Sequence, residues 1–451
     1  IAQAAQPLWC ALGPRKRATI LQKAADLMES RLGSLTSLLV VEAGKTWPDA
    51  VSEVREAIDF LRYYAKCATE QLESRELPSA VGERNLISYR GRGVWAAIAP
   101  FNFPFAIFCG QIAAPIVAGN AIVAKSAPQT PLSGSAVIQI LHEAGIPKEI
   151  CSHLPGGDAS IGHALVNHDA ICGVVFTGSS ATARNIFTTL AVNKTGPIPQ
   201  FIAETAGLNA LIADESALPE QLVADVVRGA FGSAGQRCSS TRILFVPEQT
   251  APIVLPMLCG AVEQLRVGDP AQFVTDIGPL IDANAKRKVE THVNSILALD
   301  GALLLAKSPG SNTGNFFPPT VLSLPELSLL PKNECFGPVL HVILYDASAE
   351  NALSNVVDSV NSLGFGLTMG LHSRLDSAHQ LVTKATRAGN LYINRDTIGA
   401  VVESQPFGGC GLSGTGPKAG GPDYVRRFAV EHVVSTNTAA SGGDYELMAR
   451  V

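Results

Sequence analysis

The feature of this sequence that most restricts its fold is the alternation of short apolar runs with turns rich in glycine, proline and serine. From residue 94 onward each run spans only four to six residues and is followed by a segment with helical spacing. Apolar runs of that length, alternating with helices, indicate βαβ units on a buried parallel sheet. We therefore predict an α/β fold of the kind that binds dinucleotides. The predicted strands are 94–99, 121–125, 150–154, 173–177 and 200–203.

Further segments precede and follow this pattern. Apolar residues at helical spacing predict that the chain begins with helices, and a second α/β stretch runs from about residue 209 to 392. Because 451 residues exceed the usual size of one folding unit, we predict at least two packed domains. The additional predicted segments are helices at 15–32, 54–65 and 217–231, strands at 85–90, 242–246, 339–345 and 428–437, and irregular backbone at 408–421.

Composition excludes several classes of partner. The net charge is -5 and no cluster of basic residues is present, so nucleic acid binding is not expected. Nine scattered cysteines without Cys-x-x-Cys spacing predict reduced thiols in the cytoplasm, and neither disulfides nor a metal site. We find no secretory signal, and the chain begins at Ile1. The uncharged stretch 93–124 is long enough to span a membrane, but its internal Asn, Pro and Gly residues predict buried core instead.

Three residues could carry chemistry. Cys238 follows a glycine-containing turn, and the adjacent Arg237 is a cation that could lower the pKa of the thiol. Glu204 ends an apolar strand 34 positions earlier and could activate water as a general base. Asn102 lies within an uncharged run and could stabilise an oxyanion. Taken singly, each residue also fits a structural cysteine, a surface carboxylate or a turn residue, but together they fit acyl-enzyme chemistry.

Seven short motifs, which include these three residues, relate the chain to a known family. PFNFP, AK (124–125), FTGS (176–179), ETAG, GQRCSS, ECFGPV (334–339) and QPFGG (405–409) occur in this order. Over residues 10–438 the chain resembles the aldehyde dehydrogenase superfamily. The resemblance implies an aldehyde dehydrogenase-like α/β fold, with a Rossmann-type dinucleotide-binding domain, an α/β catalytic domain and a small oligomerisation β element. The implied domains are 1–205, with an oligomerisation strand at about 84–92, 206–408 with the nucleophile, and 409–451 as return segment and C-terminal oligomerisation strand.

The resemblance also implies roles for individual residues. Cys238 is the expected nucleophile, Glu204 the general base and Asn102 the oxyanion donor, with NAD as the expected cofactor. The resemblance places Lys125 at the adenosine ribose. The alternative for this residue, a solvated surface lysine, is improbable at the end of so apolar a strand. The residues expected to contact the cofactor are Pro100, Phe101, Lys125, Ser126, Gly178, Ser179, Glu334 and Phe336.

The segment 394–421 narrows the substrate. It resembles the L-glutamate γ-semialdehyde dehydrogenases, especially the aldehyde dehydrogenase domain of bifunctional proline utilisation A proteins. This resemblance implies oxidation of L-glutamate γ-semialdehyde to L-glutamate in proline catabolism. Gly399 and Ala400 could equally form a plain tight turn, and Phe103 and Phe407 could simply pack in the core. The residues expected to contact the substrate are Phe103, Arg237, Ser239, Gly399, Ala400 and Phe407.

Some positions depart from the pattern of the family and leave alternatives for the cofactor and the function open. The family often has a proline and a glutamate where this chain has Ser126 and Pro128, so use of NADP stays open. Ala206 replaces a glycine close to the general base. The alternatives are a dehydrogenase for another small aldehyde, or a catalytically silent structural domain. We also expect a homo-oligomer, paired through the strands at 85–90 and 428–437, and a proline dehydrogenase domain in the same longer chain.

Overall fold

Four helices form the N-terminal part of the chain. The computed structural model describes residues 1–157, 159–192, 196–310, 313–438 and 440. Helix α2 starts with Pro14, whose fixed φ suits the first helical position, and α3 ends at Gly44 with a left-handed φ of 67°. A side chain at Gly44 would also meet the Pro279 ring. The helices are α1 (Ala2–Ala11), α2 (Pro14–Ser30), α3 (Leu32–Ala43) and α4 (Trp47–Gln71).

The predicted βαβ units form a five-stranded parallel sheet. Its strand order is β5-β4-β3-β6-β7, so the chain leaves β3 towards β4 on one side and later adds β6 on the other. The five predicted strands are confirmed, with ends shifted by at most two residues. The elements are β1 (Arg75–Leu77), β2 (Glu83–Gly91), β3 (Val94–Ile98), α5 (Ala106–Val117), β4 (Ala121–Lys125), α6 (Pro131–Ala144), β5 (Cys151–His153), α7 (Ala159–Asn167), β6 (Ile171–Thr177), α8 (Ser180–Val192) and β7 (Gln200–Glu204).

The second α/β stretch forms a seven-stranded sheet. Its order is β10-β11-β12-β9-β8-β14-β15, and only β10 runs antiparallel to its neighbour. The elements are β8 (Asn209–Ala213), α9 (Pro219–Phe231), β9 (Thr241–Pro247), α10 (Ala251–Glu263), α11 (Ala283–Leu297), β10 (Leu303–Lys307), β11 (Thr320–Leu324), β12 (Val339–Tyr345), α12 (Ala352–Ser362), β13 (Phe365–Gly366), β14 (Thr368–His372), α13 (Asp376–Ala385), β15 (Asn390–Ile393), β16 (Cys410–Gly411) and β17 (Ala429–Asn437).

The two strands expected at an oligomer interface pair with each other within the chain. β17 runs antiparallel to β2 from Ala429–Gly91 to Asn437–Glu83, and β1 pairs with the other edge of β2. Among the described residues, β17 is therefore an edge strand of a three-stranded sheet. The segment 408–421 is mostly irregular, as predicted, but it includes β16, which pairs with β13. Residues 441–451 of the predicted C-terminal segment lie outside the described residues.

Each large sheet has its own apolar core. One core takes buried side chains from Trp9 to Ala203 and again from Tyr424 to Ala429, and the other takes them from Leu208 to Val382. The uncharged stretch 93–124 belongs to the first core, as predicted. No helix within the described parts of the chain is long and apolar enough to cross a membrane. The domain limits themselves stay a prediction.

Candidate active site

The carboxyl ends of the first sheet gather most of the residues expected to contact the cofactor. β3 lies between β4 and β6, and the connections leave it in opposite directions, which opens the crevice where α/β sheets bind ligands. Pro100 and Phe101 follow β3, Lys125 ends β4, and Gly178 and Ser179 follow β6. The fold therefore brings these sequence-distant residues to one edge of the sheet.

Several donors at this edge suit a dinucleotide. Lys125 is buried, and its ammonium makes one hydrogen bond to the residues that the structure describes, of 3.4 Å to the carbonyl oxygen of Ser126. Burial lowers the pKa of Lys125. The Ser126 hydroxyl is 2.9 Å from His153 Nε2. Ser179 Oγ accepts a hydrogen bond from Thr182 N at the start of α8, and the first N–H groups of a helix favour anions.

Glu334 and Phe336 lie on the other side of the crevice. Glu334 is buried, and its Oε1 accepts a hydrogen bond of 2.9 Å from Arg242 Nη2. Burial raises the pKa of Glu334, while Arg242 acts in the opposite direction. The Phe336 ring meets Phe101 edge-on, with centroids 5.9 Å apart. Lys125 on one side of the crevice has N–H groups free to donate, and Glu334 on the other side can accept hydrogen bonds. A dinucleotide offers partners to both, so the residues present fit NAD.

Cys238 lies in a turn between α9 and β9, and side chains from distant segments hold that turn. Asn209 donates one amide to two carbonyl oxygens, at 2.6 Å to Cys238 and 2.9 Å to Ser240. Thr397 donates to the Ser239 carbonyl at 2.8 Å. A side chain at Gly207 would lie 2.6 Å from the Cys238 carbonyl oxygen, so the end of the first sheet packs directly on the nucleophile turn.

The charges around Cys238 differ from those expected from the sequence. Burial, together with the charges of Glu334 and Glu204, raises the pKa of the half-buried Cys238 thiol to about 12, although Arg242 acts in the opposite direction. Arg237, the sequence neighbour expected to act as the cation, is directed elsewhere. Its guanidinium pairs with Asp49 at 2.7 Å. The expectation that Arg237 activates the thiol was wrong, because its side chain is turned towards helix α4.

Glu204 is half-buried at the carboxyl end of β7, and its Oε1 atom is shielded from solvent, which excludes a surface carboxylate. Its Oε2 accepts a hydrogen bond from Gly409 N at 3.1 Å, and its Oε1 is buried without a partner among the described residues. A side chain at Gly408 would lie 2.7 Å from that Oε1. Burial raises the pKa of Glu204 well above its usual value, while the Gly409 amide and Lys418 oppose this rise. The glycine-rich segment thus encloses the carboxyl group.

Asn102 lies in the loop between β3 and α5, and 9% of its surface is exposed. It lines a small pocket with Phe101, Ser233 and Gln236, and the last two belong to the turn that leads to Cys238. Its amide makes no hydrogen bond to the described residues. Asn102 is therefore close to the nucleophile turn with its donors unused by the protein.

Among the residues expected to contact the substrate, Phe103 and Phe407 contact other residues of the chain, whereas Gly399 and Ala400 leave backbone donors unused by the described residues. The Phe103 ring is covered by two cations, with Lys45 Nζ 4.3 Å and Arg237 Cζ 5.4 Å from its centroid. Gly399 has a left-handed φ of 71°, and a side chain there would meet no atom within 4 Å. The backbone N–H groups of Gly399 and Ala400 donate to no described residue. Phe407 is half-buried and forms a short antiparallel bridge with Ala419.

Five residues around the site were missed by sequence reasoning. Asn209, Thr397 and Arg242 act through contacts between distant segments, and their residue types gave no signal. Glu56, on α4, resembles a solvated helix residue in sequence. Burial and Glu53 raise the pKa of the half-buried Glu56 to about 7, while Arg237 and Lys45 oppose them. Asp49, also on α4, binds Arg237.

Comparison with known proteins identifies the family. The model of the aldehyde dehydrogenase family matches residues 1–434. The bifunctional protein PutA of Klebsiella aerogenes is 46% identical over 432 residues, which are 94% of this chain and 32% of the relative. A 1-pyrroline-5-carboxylate dehydrogenase of Geobacillus kaustophilus is 35% identical over 420 residues, covering 92% of this chain and 80% of the relative. The chain thus spans about a third of the length of its PutA relatives.

Solved structures agree with these matches. A crystal structure of bifunctional proline utilization A has a TM-score of 0.94 and 48% identity, covering 98% of this chain and 44% of that one. A 1-pyrroline-5-carboxylate dehydrogenase from Thermus with bound NAD has a TM-score of 0.91 and 34% identity, covering 97% and 84%. The family match spans most of the chain, and the fold agrees throughout. This chain therefore belongs to the aldehyde dehydrogenase family.

Proposed function

We propose that this chain oxidises L-glutamate γ-semialdehyde to L-glutamate with NAD, as a step of proline catabolism. Support comes from relatives named 1-pyrroline-5-carboxylate dehydrogenase, one of them solved with bound NAD. The observation that carries the proposal is the link between the nucleophile and an open anion site. Thr397 binds the carbonyl of Ser239, which follows Cys238, and two residues later the unused N–H groups of Gly399 and Ala400 are available for a carboxylate.

The substrate's two polar groups can be matched to the site. The α-carboxylate binds the N–H groups of Gly399 and Ala400 together with the Ser239 hydroxyl. We assign the half-buried carboxyl group of Glu56 as the partner of the α-ammonium group. The rings of Phe103 and Phe407 contact the aliphatic chain between these groups and the aldehyde.

The catalytic residues then act in sequence. Cys238 loses its proton to water and its sulfur attacks the aldehyde carbon, while the Asn102 amide and the Cys238 N–H stabilise the oxyanion. Lys125, Ser179 and Glu334 would hold NAD, which would supply the acceptor for the hydride that leaves the adduct as the thioester forms. Glu204 removes a proton from water, which hydrolyses the thioester and releases the carboxylic acid.

The finer assignments are part of the same proposal. We propose that the chain works in the cytoplasm as a homo-oligomer, with β17 at the interface. We also propose that a proline dehydrogenase domain accompanies it in a longer chain. The relatives named bifunctional, about three times as long as the matched region, support this last point.

The test is a comparison of aldehydes. NADH absorbance is followed with glutamate γ-semialdehyde, with aldehydes that lack its carboxylate or its ammonium group, and with NAD or NADP. We expect the highest kcat/KM for glutamate γ-semialdehyde with NAD, and none for Cys238→Ala. Preference for another aldehyde would refute the substrate, turnover by Cys238→Ala would refute the nucleophile, and no turnover of any aldehyde would favour a silent domain.

A further inference from the structure

The turn that leads into Cys238 has an unusual backbone. Ser233 (φ 56°, ψ 34°), Ala234 (φ 54°, ψ 34°) and Gly235 (φ 66°) are three consecutive residues in the left-handed region. Two of them carry a Cβ atom, for which this region is unfavourable. Such a run persists only where its surroundings hold it in place. The neighbours of this turn therefore decide where Cys238 is presented.

One side of the turn is held by backbone. A Cβ atom at Gly235 would lie 2.2 Å from the carbonyl oxygen of Gly337, so the two main chains touch directly. The same oxygen accepts a hydrogen bond of 3.0 Å from Arg242 Nη1. Because Arg242 also binds Glu334, this side of the turn is fixed to the segment that faces the cofactor. The turn cannot relax in that direction.

The opposite side is held by a closed set of hydrogen bonds from helix α4. Asp49 Oδ2 accepts from the Ser233 hydroxyl at 2.7 Å, and Asp49 Oδ1 accepts from Arg237 Nη2 at 2.7 Å. Arg237 Nε donates to Ser233 Oγ at 3.1 Å. The side chains of Arg237 and Asp49 are only 11% and 18% exposed, so water competes weakly for these bonds. Three side chains thus join the strained turn to a helix of the other core.

We propose that Asp49 is a positioning residue for the nucleophile: through Ser233 and Arg237 it holds the left-handed turn and so fixes the direction from which Cys238 Sγ meets the aldehyde carbon. Thiol addition depends on that direction, because reacting atoms must be aligned at near-contact distance. Arg237 then acts through the turn and the Phe103 ring, and its charge is balanced by Asp49. The proposal rests on the proposed function only for the role of Cys238.

The test uses Asp49→Ala and Asp49→Asn in the full chain, with Glu70→Ala as a control at an exposed position of the same helix. We expect Asp49→Ala to lower kcat roughly ten- to a hundredfold with KM within about threefold of the parent value. Asp49→Asn keeps a hydrogen-bond acceptor, so its kcat should lie between that of Asp49→Ala and that of the parent protein. Glu70→Ala should match the parent protein.

Two further measurements separate positioning from other roles. The charges that act most on the thiol are those of Glu334, Glu204 and Arg242. The pH dependence of Cys238 alkylation by iodoacetamide, followed by mass spectrometry of its peptide, should therefore not change in the Asp49 variants. The acylation burst with p-nitrophenyl acetate, which requires neither NAD nor the natural aldehyde, should fall with kcat. The measurement with p-nitrophenyl acetate therefore tests the role of Asp49 even if the proposed substrate is wrong.

Several results would overturn the proposal. A kcat within twofold of the parent in Asp49→Ala would do so, and so would a raised KM at unchanged kcat, which would assign the network to substrate binding. A shifted alkylation profile would assign Asp49 to thiol ionisation. If Asp49→Ala does not fold, Ser233→Ala removes a single hydroxyl from the same network, and an unchanged kcat in that variant would count against the proposal.

Discussion

Burial of Glu204 and Cys238 sets the pH at which each can act. Burial raises the pKa of both groups, so at low pH the carboxyl and the thiol are protonated and neither can react as proposed. Raising the pH ionises them in the reactive direction. We therefore expect kcat to increase with pH across the neutral and alkaline range, as measured from initial rates of NADH formation. A kcat that falls across this range would contradict the assigned roles.

Glu204→Gln should separate the two halves of the reaction. The amide cannot take a proton from water, so hydrolysis of the thioester should slow roughly a hundred- to ten-thousandfold. Attack by Cys238 does not require the Glu204 carboxylate in the proposed sequence. Stopped-flow measurement should therefore show one equivalent of NADH formed in a burst, followed by almost no turnover. Loss of the burst as well would mean that Glu204 also ionises the thiol.

Lys418 is expected to tune the general base. Its ammonium donates to the carbonyl of Gly389 and, at 3.0 Å, to Asn390 Oδ1, and its charge lowers the pKa of Glu204. Lys418→Met should raise that pKa further and move the rise of kcat to higher pH. Lys418→Arg keeps the charge and serves as the matched control. An identical pH profile in the methionine variant would show that Lys418 has no such role.

At the scale of single residues, the sequence located the groups that react but not those that hold them. Cys238, Glu204 and Asn102 stand in motifs that each span a few residues, so their positions could be predicted. Asp49 and Arg237 lie 188 positions apart, and no local pattern joins them. The charged groups that act on the Cys238 thiol, such as Glu334, are also distant from it in sequence and could not be predicted. Arg237 is adjacent in sequence, but its side chain is directed away from Cys238 towards Asp49.

At the scale of elements, β7 and the glycine-rich segment form one unit. Two backbone hydrogen bonds flank Glu204: Thr205 N donates to Ser413 O at 2.8 Å, and Thr415 N donates to Ala203 O at 2.9 Å. Glu204 thus lies opposite Gly414 in a short antiparallel bridge. The strands could be predicted because buried parallel strands are short and uniformly apolar. The return of residues 408–414 onto β7 could not, since glycine-rich backbone carries no periodic pattern.

Gly408→Ala tests the fit of this unit. The added Cβ atom would lie 2.7 Å from Glu204 Oε1 and 3.2 Å from the Cα atom of Lys418, so the carboxyl group or the segment must move. We expect a lower kcat with a smaller change in KM, measured by steady-state kinetics. Gly33→Ala is a suitable control, because that helical glycine has no atom within 4 Å of the added methyl group. Equal loss in both variants would contradict a local effect.

At the scale of the whole molecule, the exposed strand β17 bears on assembly. Among the described residues its outer edge is unpaired, and Val430, Val433 and Val434 are 41%, 53% and 43% exposed. Edge strands of this kind readily pair with another chain. We expect light scattering to give a mass above the 47.2 kDa of one chain, and Val433→Lys to reduce it. A monomeric parent protein would contradict the expected oligomer.

The two apolar cores meet at the proposed catalytic residues, and this has a consequence for how activity arises during folding. Glu204 directly follows Ala203, a buried residue of the first core, whereas Cys238 lies between Ala234 and Ile243 of the second core. The returning segment 408–414 completes the enclosure of Glu204. Domains generally fold as units, so either core can form while the other is still unfolded. A half-folded chain would therefore hold one reacting group without the other. Catalytic competence is thus a late event, acquired only when both halves have docked and the C-terminal part of the chain has closed over them.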